Sequence, residues 1–150
     1  MIEMVMVLAV ISILALMVAP TFYDRTIRQQ VVEGMGLANV GKTGVLTVFA
    51  LTGEMPHNNE AAGVPVATLI VSNYVSAVEV VDGAVTITFG NSANTSIRGK
   101  KLTLRPAHVK EAPQVPVTWL CSTAAVPNGM VVEGLNRTDI PPKWLPVTCR

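Results

Sequence analysis

The sequence predicts an α+β fold in which one long N-terminal helix packs on a four-stranded antiparallel sheet, followed by a C-terminal loop between two cysteines. Three observations predict it. Residues 1–19 are apolar almost without a break, and a one-sided apolar pattern carries on to about Leu51. Past residue 77 the period changes from helical to two, with an Asp-Gly turn between alternating runs. Both cysteines, Cys121 and Cys149, fall in the last thirty residues, at the two ends of a stretch with little periodicity.

The opening stretch, MIEMVMVLAVISILALMVA, carries one charge, Glu3. A helix needs roughly 20 apolar residues to cross a bilayer, and this run just suffices. A carboxylate at the bilayer centre costs about 2.5–3.5 kcal/mol on insertion scales, and a position near the helix end lowers that cost. No Lys or Arg precedes Arg25, so any cation that pairs with Glu3 comes from another molecule. A cleaved secretory signal fits poorly, because the leading charge is negative and the run exceeds an ordinary signal core. Ser12 is expected to bond its own helix backbone.

From residue 20 the pattern becomes amphipathic. Phe22, Ile27, Val31, Met35, Ala38, Val45 and Phe49 recur at helical intervals among charged residues. Met1 to Leu51 as one helix would be a rod about 75 Å long. Pro20 removes a backbone hydrogen bond and should kink or loosen it. Gly34, Gly36, Gly41 and Gly44 each cost about 0.8–1 kcal/mol relative to Ala in a helix interior. Either they allow close packing or they mark a weaker upper helix. Thr52-Gly53 ends the rod. The chain thus divides into a helix, 1–52 (1–19 transmembrane, 20–52 amphipathic), and a head, 53–150.

Residues 54–65 (EMPHNNEAAGVP) read as a loop, and 67–74 fits either a short helix or a strand. Residues 78–81 and 84–89 flank Asp82-Gly83 as a hairpin, with Val85, Ile87 and Phe89 on one face and Thr86 and Thr88 on the other. Residues 101–105 alternate again, with Leu102 and Leu104 inward and Lys101, Thr103 and Arg105 outward. Residues 115–121 supply a fourth strand with Val117, Trp119 and Cys121 on one face. Pro106, Pro113 and Pro116 confine their surroundings to loops or an edge strand. Residues 122–150 have no core of their own. After a membrane segment, Cys121 and Cys149 read as one disulfide in an oxidising compartment, the alternative being two buried thiols.

Catalysis finds little support. A net charge of +1 with 14% charged residues gives no global attraction to nucleic acid. His57 and His108 make no metal-ligand spacing with each other or with the cysteines, and no phosphate loop or nucleophile elbow is present. The acids Glu79, Asp82 and Asp139 read as strand or turn residues. We therefore expect no enzyme activity, cofactor or metal. One basic cluster, Arg98, Lys100, Lys101 and Arg105 with Lys110 beyond it, is either a DNA-contacting patch or a solvated face. Asn94-Thr95-Ser96 and Asn136-Arg137-Thr138 match the N-glycosylation pattern, which by itself assigns no modification.

Met1-Ile2-Glu3-Met4, the apolar run, and Pro20-Thr21-Phe22-Tyr23-Asp24 resemble the N-terminus of type IV pilins, with Glu3 and Pro20 at the family's spacing. Gly99 to Leu104, Val117 to Cys121 and Leu145 to Arg150 are similar to the head domains of type IVa pilins. The resemblance implies the pilin fold, and a start two residues inside the mature chain. It implies a homopolymer of identical subunits, extracted from the inner membrane by a pilus assembly machinery into an extracellular filament. Glu3 would pair with the N-terminal amine of a neighbouring subunit, and helical order around Pro20 could be lost in the filament. Adhesion, twitching motility and DNA uptake would then be filament properties, with DNA or a host surface as partners. A minor pilin that receives DNA and a type II secretion pseudopilin are the alternatives.

Overall fold

The computed structural model describes every residue except Pro113, and the side chains of all but residues 19–21. The expected kink at Pro20 and the part expected of Pro113 lie outside the described residues. Helix α1 spans Ile2–Thr52 and stops where Gly53 adopts φ 74°, its N–H bonded to the Phe49 carbonyl at 2.9 Å. That left-handed cap suits glycine, which pays no Cβ penalty there.

Among the described residues, five antiparallel strands follow: β1 (Val75–Val81), β2 (Ala84–Phe89), β3 (Lys101–His108), β4 (Thr118–Cys121) and β5 (Val131–Val132). Their order is β1-β2-β3-β4, and β5 pairs with the end of β3. The fifth strand lies in the stretch expected to be irregular. Residues 67–69 form a 3-10 turn, and β1 begins only at Val75. Pro106, expected in a loop or on an edge, sits inside β3 opposite Trp119. Its carbonyl accepts from Glu133 N–H at 3.0 Å, on the flank where β2 has ended and β5 begins. The proline's missing donor falls in that gap, so no bond to β4 is lost.

The upper half of α1 lies on β1 and β2. Ile27, Val31, Ala38 and Val45 are fully buried and Phe49 nearly so, with Gly34 and Gly41 buried in the same stripe. Every spacing in this stripe is three or four residues, which keeps one helix face on the sheet. A Cβ at Gly34 would stand 2.5 Å from Phe89 Cε1, and one at Gly41 would stand 2.9 Å from Val85 Cγ1. At Gly44 the obstacle is the Ala62 carbonyl, also at 2.5 Å. Close packing accounts for these three glycines. Gly36 has open space and no packing reason.

Val85, Ile87, Phe89, Leu102 and Leu104 face the helix as expected, and all are buried. The outer face departs from expectation. Thr103 and Thr86, read as outward, are buried and bonded to each other at 3.1 Å. The C-terminal stretch covers them: Arg137 N–H donates to Thr103 Oγ1, and Thr103 N–H donates to Thr138 Oγ1. Beyond it, Ile140, Trp144, Leu145 and Cys149 join the common core, and Cys121 is disulfide-bonded to Cys149.

Candidate assembly surface

Among the described residues, nothing packs on the lower half of α1. Residues 1–18 are all exposed, including Leu8 at 63% and Leu16 at 76%. The helix is long and apolar enough there to cross a membrane. An exposed apolar surface of this length is far larger than a soluble monomer ordinarily presents. It requires lipid or other apolar helices around it.

Two polar groups interrupt it. Ser12 donates to the Leu8 carbonyl at 2.8 Å, which satisfies the hydroxyl within the helix. Glu3 is exposed in the first turn, where the helix dipole favours a carboxylate. The first basic residue, Arg25, lies about 33 Å further along the rod. No basic side chain of the same helix can reach Glu3.

The rod enters the head through a collar of hydrogen bonds that the sequence did not suggest. Tyr23 Oη donates to Asn94 Oδ1 at 3.0 Å and lies equally close to Ser96 Oγ. The Asn94 N–H donates to Gln30 Oε1 at 2.9 Å. On the other flank, Trp144 Nε1 donates to Asp24 Oδ1 at 2.8 Å, and Arg28 Nε to the Lys143 carbonyl at 2.8 Å. Two loops far apart in sequence thus fix the helix just above Pro20. Phe22, placed by periodicity in the buried stripe, lies below the collar and is 66% exposed.

The basic cluster spans the loop before β3 and the first half of β3. Arg105 is partly exposed, donates to the Ser122 carbonyl at 3.1 Å and has its Nε buried and unpaired. Arg98 is exposed and bonds the Ala93 carbonyl, while Lys100 and Lys101 are partly exposed at the base of β3. His57 pairs with Asp82 at 2.7 Å and His108 with Glu133 at 3.4 Å. Among the described residues no three His, Cys, Asp or Glu side chains are placed to hold a metal. Burial lowers the pKa of Lys42, whose ammonium lies 5.5 Å from the centre of the Trp119 ring.

Residues 28–150 match the family model described as pilin, a bacterial filament protein. The chain is 36% identical to a fimbrial protein of Neisseria meningitidis serogroup A, and 38% identical to one from serogroup B. It is 35% identical to the type IV major pilin protein PilE1 of Neisseria gonorrhoeae. These alignments cover 99% of this chain and 90–91% of the relatives.

Proposed function

The chain belongs to the pilin family of bacterial filament proteins, and we infer from its exposed half-helix how it polymerises. It is a structural subunit of a type IV pilus, the surface filament built from identical copies. The observation that carries the mechanism is the apolar rod, exposed along residues 1–18 beneath a well-packed head. In the precursor the rod lies in the membrane. In the filament the rods of neighbouring copies bury one another. The hydrophobic gain of that burial, about 25 cal/mol per Å², offsets withdrawal of each rod from lipid.

Glu3 sets the register of that bundle by pairing with the N-terminal amine of a neighbour. Neutralising both charges offsets the cost of burying each in a low-dielectric core. The pilus assembly machinery would extract the rod, with Pro20 as the site where it yields. Adhesion, twitching motility and DNA uptake would be activities of the finished filament. The DNA-receptor reading has Arg98 exposed, Lys100 and Lys101 partly exposed, and Arg105 partly exposed but bonded to the Ser122 carbonyl.

In cells carrying Glu3→Ala, subunits should accumulate in the membrane fraction at normal levels while surface filaments disappear. Normal piliation by that variant would overturn the role given to Glu3.

A further inference from the structure

The head is electrically polar along the rod. The Asp82-Gly83 turn lies at the helix's C-terminal end, where the Asp82 and Gly83 N–H groups bond the carbonyls of His57 and Pro56. Phe89, at the other end of the hairpin, packs beside Gly34, and loop 91–100 touches Tyr23 and Gln30. The strands therefore run along the rod, and every head residue has an upper or lower address.

The upper end carries Glu54, Asp82, Glu111 and Glu133 against one base, Lys110. Around the collar and the start of β3 stand the bases Arg25, Arg28, Arg98, Lys100, Lys101 and Lys143 against three acids, Asp24, Glu33 and Asp139. About 40 Å of helix separates these opposite surpluses.

The upper end also holds a groove of about 910 Å³. Phe49, Met55, Val131 and Leu135 supply its apolar part, and Glu54, Asp82 and Glu133 line it with acid. Leu135 is 75% exposed. Asp82 and Glu133 face histidines, and neither forms an ion pair with a lysine or arginine among the described residues. An apolar floor beside carboxylates suits long basic side chains, whose stems cover the floor while their heads reach the acids.

We propose that this groove receives the basic collar, led by Arg98 and Lys100, of a second copy of this chain in the filament. The proposal rests on the polymer reading above. The contact is heterologous, with one surface patch meeting a different one, so it repeats without closing and suits an open filament. The charges give the stacking a direction, because like ends repel.

The test uses full-length chains in piliated cells. Glu54→Lys and the double variant Arg98→Glu/Lys100→Glu are made separately and then combined in one chain. Both sets lie at exposed or partly exposed positions, and the disulfide-bonded monomer in the membrane fraction reports folding. Each separate variant should cut sheared filament yield at least tenfold, or make the fibres dissociate at salt that leaves the parent intact. The combined chain, which exchanges the charges, should recover most of the loss. Parent-like yield and salt resistance in both separate variants would overturn the proposal. So would a combined chain no better than either. A carbodiimide crosslink joining Glu54 of one copy to Lys100 of another in parent filaments would support it directly. If the unaltered chain itself forms no filaments, the polymer reading fails instead.

Discussion

At the level of single residues, glycines set the helix packing, and one carboxylate carries the proposed assembly contact. Gly34, Gly41 and Gly44 sit where the helix backbone meets Phe89, Val85 and the Ala62 carbonyl, whereas Gly36 faces open space. Gly41→Val should cost about 1–3 kcal/mol, because added methyls must push into a packed stripe. Gly36→Ala should be neutral or stabilise by up to about 1 kcal/mol, since only the helix penalty changes. Thermal unfolding of the detergent-solubilised chain compares the two; equal effects would contradict close packing as the reason for these glycines. The glycines were legible as an anomaly in the sequence, but their partners were not, since Phe89 and Val85 are distant along the chain. Glu3 can be singled out without the fold. It is the one charge in an apolar run, and no fold-dependent contact was needed to single it out.

Among the elements, periodicity found α1, the β1–β2 hairpin and the core face of β3, because each is long enough to show its period. It missed β5, which at two residues has none. It also assigned Thr103 to solvent, since alternation reports which face a side chain occupies and not what later covers that face. The covering stretch, residues 137–138, lies more than thirty positions downstream. The same stretch leads to Trp144 and Asp24, which meet across 120 positions. The disulfide holds this C-terminal part against β4. In the chain-entropy model a loop with a sequence separation of 28 contributes about 3–4 kcal/mol. The double variant Cys121→Ser/Cys149→Ser should lose roughly that amount in denaturant unfolding; an unchanged midpoint would show that the core alone fastens the segment. Lys42 adds a pH dependence. Its pKa is lowered by burial beneath the ordinary 10.5, so the folded chain binds fewer protons than the unfolded one in the alkaline range. Its contribution to stability is least favourable below the lowered pKa and improves as pH rises toward 10.5. Lys42→Met should remove that part of the alkaline rise, and identical pH profiles for parent and variant would contradict it.

Taken whole, the molecule is a rod whose upper half belongs to the head's core and whose lower half has no partner of its own among the described residues. The boundary between helix and head at residue 52 is therefore a boundary of secondary structure. The packed unit takes in Ile27 to Phe49, and a head beginning at Gly53 would lack one wall of its core. This division of the helix, buried above the collar and bare below it, is the physical basis for a subunit whose head packs within one chain while its rod needs lipid or neighbouring rods around it. The most direct test is mass spectrometry of filaments sheared from the native cells, with electron microscopy of the same fraction. The account predicts thin, uniform fibres dominated by this chain, with an intact mass that includes the Cys121–Cys149 bridge. Filaments that lack the chain, while it stays in the membrane fraction, would contradict it.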